Sequence, residues 1–302
     1  MAKYVPDNSL ITTWIDSKRI EPYPFMALFE FDSKRLIYIG TNHNSVSHPA
    51  PKSFDAIHYA FTKFDIDCVV TEIGHTYKWP DTLIGKPGLN ELAYSVYLAE
   101  NKKIPYVFAD TDLADWIQDF EKMSHHKAVI LQTMWILNDA RKYKKYKQQN
   151  DTIKHAFDNV KWQLSQFGFD MPLTMSEFKQ CVKQDFGFDV SDENISDILN
   201  TIPNWNEPNI NGGITNKIWA ETGLYSRDPY MLKEIFNAVN KHDNVLVTTG
   251  AGHYEEMRLV LEKAFGVPKY THEFPETKRL DMEIEQKCNN CQIFHKQSNQ
   301  HD

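Results

Sequence analysis

The sequence DCVVTE, residues 67–72, is a short and nearly all-apolar run in the first third of the chain. Such runs suit strands of a parallel sheet whose two faces are both covered. A helical pattern that begins at a capping Ser53 precedes the run, and a second helical pattern follows it at 88–102. The next apolar run is IPYVFA at 104–109. This alternation of strands and helices predicts parallel pairing with right-handed crossovers.

Both ends of the chain extend the pattern. The runs PFMALFEF at 24–31 and RLIYIG at 35–40 flank a short turn and predict a hairpin. The C-terminal third predicts, in order, a helix at 228–242, a strand NVLVTT at 244–249, a helix at 253–265 and an edge strand at 267–274. The predicted fold class is therefore α/β, with a mainly parallel, mixed sheet flanked by helices.

The middle of the chain has a different pattern. Residues 113–213 carry helical periodicity and no convincing strand, and they end in a loop rich in Asn, Pro and Gly. We interpret them as a helical insertion or cap. The predicted α/β core is then discontinuous, formed by 1–112 and 214–275, and residues 276–302 form a polar tail.

Composition excludes several classes of protein. The chain has 302 residues and a net charge of -8, which argues against nucleic-acid binding. Its four cysteines are too few for a disulfide framework. The sequence contains neither a signal peptide nor an apolar run of membrane-spanning length. We therefore expect a soluble, cytoplasmic protein without a membrane span, whose partner is a small-molecule or peptide substrate.

Polar side chains lie at or just beyond the ends of four predicted strands. These are His43, Glu72, Asp110 and His253. Ligands of open parallel sheets bind beyond the carboxyl ends of the strands, so a site is expected where these residues gather. A single histidine after a strand is usually a capping or packing residue, and Asp110 could simply cap a helix. The two histidines stand in matching G-x-x-H turns, which favours a functional role.

The glycines of these turns suggest local backbone requirements. Gly40 and Gly250 follow strands directly, and glycine tolerates the positive φ of a sharp turn. His253 is expected to open a helix. The positive end of a helix dipole favours a neutral imidazole, which suits a base or a metal ligand.

Two further residues are candidates, each with a plain structural alternative. Glu91 lies in the first turn of a predicted helix, where a glutamate commonly matches the helix dipole. Arg227 precedes Asp228 and Pro229, which have the character of an N-cap and a first helical residue. Arg227 is then either a surface residue or the group that holds a carboxylate or phosphate.

The C-terminal tail contains a C-x-x-C pair. Cys288 and Cys291 precede His295 and His301, a set that could bind zinc. No second pair is present in the sequence. A flexible, reduced tail is the favoured interpretation.

Taken together, these motifs resemble the superfamily that joins TraB and PrgY proteins, TIKI metalloproteases, ChaN-like haem-binding lipoproteins and erythromycin esterases. The pattern consists of a G-x-x-H turn, a strand ending in Glu, a helix with a second Glu, a late Arg and a second G-x-x-H turn. The matching stretches are Gly40-Thr41-Asn42-His43, Val70-Thr71-Glu72, Asn90-Glu91-Leu92, Arg227-Asp228-Pro229 and Gly250-Ala251-Gly252-His253.

The resemblance implies an α/β core with a polar site, but its members differ in chemistry. TIKI-like members are metal-dependent peptidases, erythromycin esterases activate water with histidine, and ChaN-like members bind haem. The first hypothesis is therefore a metal-dependent peptidase-like or esterase-like hydrolase. His43, Glu72 and His253 would hold a divalent ion or act as base and orienting carboxylate. Glu91 would be a second acid or base.

The remaining assignments complete this hypothesis. Arg227 would bind a substrate carboxylate or stabilise an oxyanion. The mixed nitrogen and oxygen ligand set would suit Mn, Co, Zn or Fe. The helical middle would cover the site and select the substrate. The second hypothesis is a non-catalytic protein that binds haem or another ligand in the same pocket, or that serves signalling on the same scaffold.

Overall fold

A computed structural model describes residues 4–13, 17–42, 51–74, 91–111, 124–147, 152–166, 171, 173–187, 189–191 and 227–276. Six strands are present in this part of the chain: β1 (Phe25–Phe31), β2 (Lys34–Thr41), β3 (Cys68–Gly74), β4 (Tyr106–Asp110), β5 (Asn244–Gly250) and β6 (Lys269–Thr271). The helices are α1 (Pro51–Lys63), α2 (Glu91–Lys102), α3 (His125–Lys147), α4 (Thr152–Ser165), α5 (Met175–Phe186), α6 (Asp228–Lys241) and α7 (Ala251–Phe265).

The strands form one mixed sheet in the order β4-β3-β5-β2-β1-β6. Strands β4, β3, β5 and β2 are parallel neighbours, whereas β1 pairs antiparallel with both β2 and β6. The predicted α/β fold class is confirmed, and so is the hairpin, which is β1 and β2. The edge strand predicted at 267–274 is shorter than expected, because only three residues of β6 pair with β1.

Apolar side chains cover both faces of the sheet, which explains why its central strands lack alternation. On one face, Leu36, Tyr38 and Val247 pack with buried residues of α6 and α7. On the other face, Ile37 and Leu246 pack with buried residues of α1 and α2. The sheet is therefore the middle of three layers.

The connections that follow β3 and β5 lead to opposite edges of the sheet. The chain leaves β3 through α2, which packs on one face, and reaches β4 on the outer side. It leaves β5 through α7, which packs on the other face, and reaches β6 at the opposite edge. The carboxyl ends of β3 and β5 thus lie at a topological switch point, where open α/β sheets bind ligands.

Two local expectations are wrong. Helix α1 begins at Pro51 instead of at a Ser53 cap, and Ser53 is fully buried inside the helix. Proline suits the first helical position because its missing N–H would have no partner there. Neither Gly40 nor Gly250 has a positive φ, because Gly40 lies within β2 and Gly250 is the extended last residue of β5. A Cβ on Gly40 would instead lie 2.4 Å from Phe25 Cζ, so Gly40 is required for packing.

By its contacts the chain divides into two units. One comprises Met1–Thr12, Ser17–Asp110 and Asp228–Asp302, and the other comprises Thr13–Asp16 and Thr111–Arg227. Within the second unit, α4 and α5 pack against α3 around one apolar core. The predicted insertion 113–213 stays a prediction, because residues 112–123 and 192–226 lie outside the described part of the chain, as does nearly all of the predicted tail.

None of the helices described here combines the length and the apolar character that crossing a bilayer requires.

Candidate functional site

The candidate site is built around the imidazole of His253. This residue lies in the first turn of α7, directly after β5. Its Nε2 is 3.2 Å from Glu72 Oε1, and its Nδ1 is 2.7 Å from Asp228 Oδ1. A third carboxylate oxygen, Glu256 Oε2, is 3.6 Å from Nδ1. Both ring nitrogens therefore face carboxylates.

Each carboxylate is positioned by a different element. Glu72 lies near the end of β3, and its Oε2 accepts a 2.7 Å hydrogen bond from the Gly250 backbone N–H. Asp228 is the first residue of α6, and Glu256 lies three residues after His253 on the same face of α7. The site thus joins β3, β5, α6 and α7 at the switch point.

Burial makes the electrostatics of this cluster costly. The side chain of Asp228 is 0% exposed, and those of Glu72 and Glu256 are each 8% exposed. Asp228 Oδ2 is buried and has no hydrogen-bond partner among the described residues. Like charges this close in a weakly screened environment repel one another strongly. A positive charge on the imidazole of His253 would offset part of this repulsion.

The charges of these carboxylates affect the pKa of the buried phenol of Tyr38. Burial raises the pKa of Tyr38 well above its usual range, and the charges of Glu72, Asp228 and Glu256 raise it further. A 2.7 Å hydrogen bond with Thr249 Oγ1 acts in the opposite direction. Tyr38 is therefore a neutral group whose ionisation these carboxylates oppose.

Glu91 lies at the same end of the sheet as Glu72, but on helix α2. It is the first residue of α2 and is 4% exposed, and its Oε1 accepts a 3.0 Å hydrogen bond from Thr41 Oγ1. Thr41 is the register partner of Gly250, whose N–H binds Glu72. Glu91 is thus connected to Glu72 through two adjacent strand ends.

The structure brings together some of the predicted site residues. Glu72 and His253 are in contact, and Glu91 is linked to them through Thr41. His43 lies outside the described residues. Arg227 is half-buried and belongs to the helical unit. Asp110 is the last residue of β4. The functional roles of both residues stay predictions. Cys288 and Cys291 also lie outside the described part.

Two residues of the cluster were missed in the sequence. Asp228 has the character of a helix cap, and Glu256 resembles any glutamate on an amphipathic helix. One signal was present, because Glu256 follows His253 by three residues and helical spacing puts both on one face. Nothing in the sequence predicts that α6 places Asp228 beside His253, since that contact depends on how two helices pack.

A mixed ligand group is compatible with a metal ion. Ligand atoms of Asp228, His253 and Glu256 all lie within 4.8 Å of one another. This group differs from the predicted set of His43, Glu72 and His253. The two sets share only His253.

Comparisons with protein families, with curated proteins and with solved structures found no match. The resemblance to the TraB and TIKI superfamily therefore stays a prediction that rests on the motifs quoted above.

Proposed function

We propose that the chain is a hydrolase of peptide or ester bonds, in which the cluster around His253 activates water. The observation that supports this proposal is the position of one imidazole between Glu72, at 3.2 Å, and Asp228, at 2.7 Å. The cluster lies at the switch point of an open sheet, where α/β enzymes bind their ligands. Imidazole and carboxylate groups are also the usual general acids and bases.

The chain's own residues would orient the imidazole and receive a proton. Asp228 accepts a hydrogen bond from Nδ1–H, which leaves the basic lone pair on Nε2. When Nε2 removes a proton from water, hydroxide is left to attack the substrate. Glu72, fixed by the Gly250 N–H, then accepts a hydrogen bond from the new Nε2–H, so both carboxylates stabilise the imidazolium. A divalent cation, when bound, would supply the same activation by lowering the pKa of its water.

The other predicted residues keep their proposed roles. Glu91 is the second acid or base, and its buried carboxylate is held by Thr41 at the same end of the sheet. Arg227 is proposed to bind a substrate carboxylate or an oxyanion, and His43 to complete the site as a second imidazole. A divalent ion such as Mn, Co, Zn or Fe matches the nitrogen and oxygen donors.

The test is a hydrolysis screen with the full chain, purified without chelators. Fluorogenic peptides and p-nitrophenyl esters are offered with EDTA, with Mn²⁺ or with Zn²⁺. His253→Gln should remove the turnover of any substrate found. Glu255→Gln should retain it, because the Glu255 carboxylate accepts hydrogen bonds from Ile20 and Tyr23 and has no part in the cluster.

The alternative is a binding protein without catalysis. Haem ligation needs an axial ligand that faces an apolar slot, whereas His253 has three carboxylates within 4 Å of its ring nitrogens. A Soret band on haem titration, together with no turnover across the screen, would establish the alternative and contradict the proposal.

A further inference from the structure

We infer that Thr41 is a positioning residue of the proposed hydrolase, and that its hydroxyl holds the carboxyl group of Glu91 whether or not that group carries a proton. Thr41 is the last residue of β2 and is 1% exposed. Its Oγ1 is 3.0 Å from Glu91 Oε1 and 3.1 Å from the carbonyl oxygen of Thr249. This role rests on the proposed function, in which Glu91 is the second acid or base.

The place of Thr41 in the sheet shows why its hydroxyl matters. Alternate side chains of a strand share one face of the sheet. In β2, Ile37 and Ile39 precede Thr41 in such a row and pack in the apolar core formed with α1 and α2. Valine has nearly the shape of threonine and would extend this row without a polar group. The hydroxyl lies where α2 brings in the carboxyl group of Glu91, which is 4% exposed.

One hydroxyl group can hold Glu91 in two protonation states. When Glu91 is ionised, Thr41 donates to it, and hydrogen bonds to a charged acceptor are about twice as strong as those between neutral groups. When Glu91 carries a proton on Oε1, Thr41 Oγ1 accepts the hydrogen bond and turns its own proton to the Thr249 carbonyl. A residue that acts as an acid or a base passes through both states, and Thr41 keeps it in place in each.

Other hydroxyl groups on this face of the sheet bond one another. Thr71 of β3 and Thr248 of β5 are fully buried, and Thr248 Oγ1 is 3.0 Å from both Thr71 Oγ1 and Ser95 Oγ of α2. Ser95 also donates a 2.6 Å hydrogen bond to the Leu92 carbonyl. Thr248 is therefore a matched control, because its hydroxyl is equally buried but is bonded to Ser95 and Thr71.

The first test needs no substrate. The glutamates of the full chain are labelled with ¹³C at the carboxyl carbon, and Glu91→Gln identifies the NMR signal of Glu91. Thr41→Val should displace this signal, because valine neither donates nor accepts a hydrogen bond. Thr41→Ser keeps the hydroxyl and should leave the signal where the parent has it, as should Thr248→Val. Urea melts verify that each variant is folded, and Thr41→Ala replaces Thr41→Val if the latter does not fold.

The second test uses a substrate found in the hydrolysis screen. Thr41→Val should lower kcat by about 10–100-fold and leave KM nearly unchanged, because a displaced acid or base stabilises the transition state less without weakening substrate binding. Thr41→Ser should retain most of the parent's kcat, and Thr248→Val should turn over substrate like the parent. A purely structural role of Thr41 would lower stability without separating kcat from KM.

Two outcomes would overturn the inference. One is a Glu91 signal at the same position in the parent and in Thr41→Val. The other is an equal loss of kcat in Thr41→Val and Thr248→Val, which would assign both hydroxyl groups to packing. If no substrate is turned over, the proposed function fails, whereas the Glu91 signal still decides whether Thr41 holds the carboxyl group.

Discussion

Among the glycines whose surroundings the structure describes, Gly40 has the least space for an added methyl group. An ideal Cβ there would lie 2.4, 2.6 and 3.0 Å from three atoms of the Phe25 ring. The ring cannot move away easily, because Phe25 is 0% exposed and packs edge-to-face against Tyr254. Strand β2 is also held between β1 and β5. We expect Gly40→Ala to destabilise the α/β unit by about 1–3 kcal/mol, the usual cost of overpacking, and toward its upper end.

Gly252→Ala is the matched control, for which we expect a change in stability of the opposite sign. Its Cβ would meet no described atom within 4 Å, and Gly252 lies within helix α7. Alanine there should stabilise the protein by about 0.4–1 kcal/mol, because it restricts the unfolded chain and favours the helix. The two variants should therefore differ by about 1.5–4 kcal/mol.

Hydrogen exchange of the β2 and β5 amides in a urea series measures this difference within the α/β unit. Adding Phe25→Leu to Gly40→Ala should recover part of the lost stability, since it removes the ring atoms in conflict. A Gly40→Ala variant as stable as the parent, or a shift of both alanine variants in the same direction, would refute overpacking at Gly40.

Two smaller predictions concern other parts of the chain. Thr174→Ala should destabilise the helical unit by about 1 kcal/mol in urea melts, because Thr174 and Glu177 form a capping box at α5. Glu177→Gln should cost less, because glutamine can still accept the hydrogen bond from the Thr174 backbone N–H. The hydrogen bond from Lys263, followed by those from Ser9, lowers the pKa of Asp7 from 3.8 to about 2. Since the folded value is the lower one, the stabilisation is present above pH 3.8 and is lost as the pH falls toward 2. In NMR titrations Lys263→Met should move the Asp7 pKa upward, and an unchanged value would contradict the assignment.

The sheet could be predicted from sequence where local pattern and tertiary environment agree. The apolar runs that became β3 and β5 lack alternation because both of their faces are covered, and that pattern is visible in the sequence. The boundaries were harder to predict. Ser53 is a good cap by composition, yet α1 begins at Pro51 and buries Ser53. Helix starts depend on packing as well as on capping propensity.

The site could be predicted only in part, for a related reason. Glu72 lies near the end of one strand and His253 closely follows another. The carboxyl ends of parallel strands meet at one edge of the sheet, so their contact could be predicted from sequence order. Asp228 and Glu256 lie on helices, where a carboxylate ordinarily caps the helix or faces solvent. Their proximity to Nδ1 depends on how α6 and α7 pack on the same face of the sheet, which no local pattern specifies.

The central proposal is that the imidazole of His253, which lies between Glu72 on its Nε2 side and Asp228 on its Nδ1 side, activates water. The most direct test compares the turnover of a substrate found in the hydrolysis screen by the parent, by His253→Gln and by the control Glu255→Gln. We predict that His253→Gln loses this turnover and that Glu255→Gln retains it. Equal turnover by the parent and by His253→Gln would contradict the account.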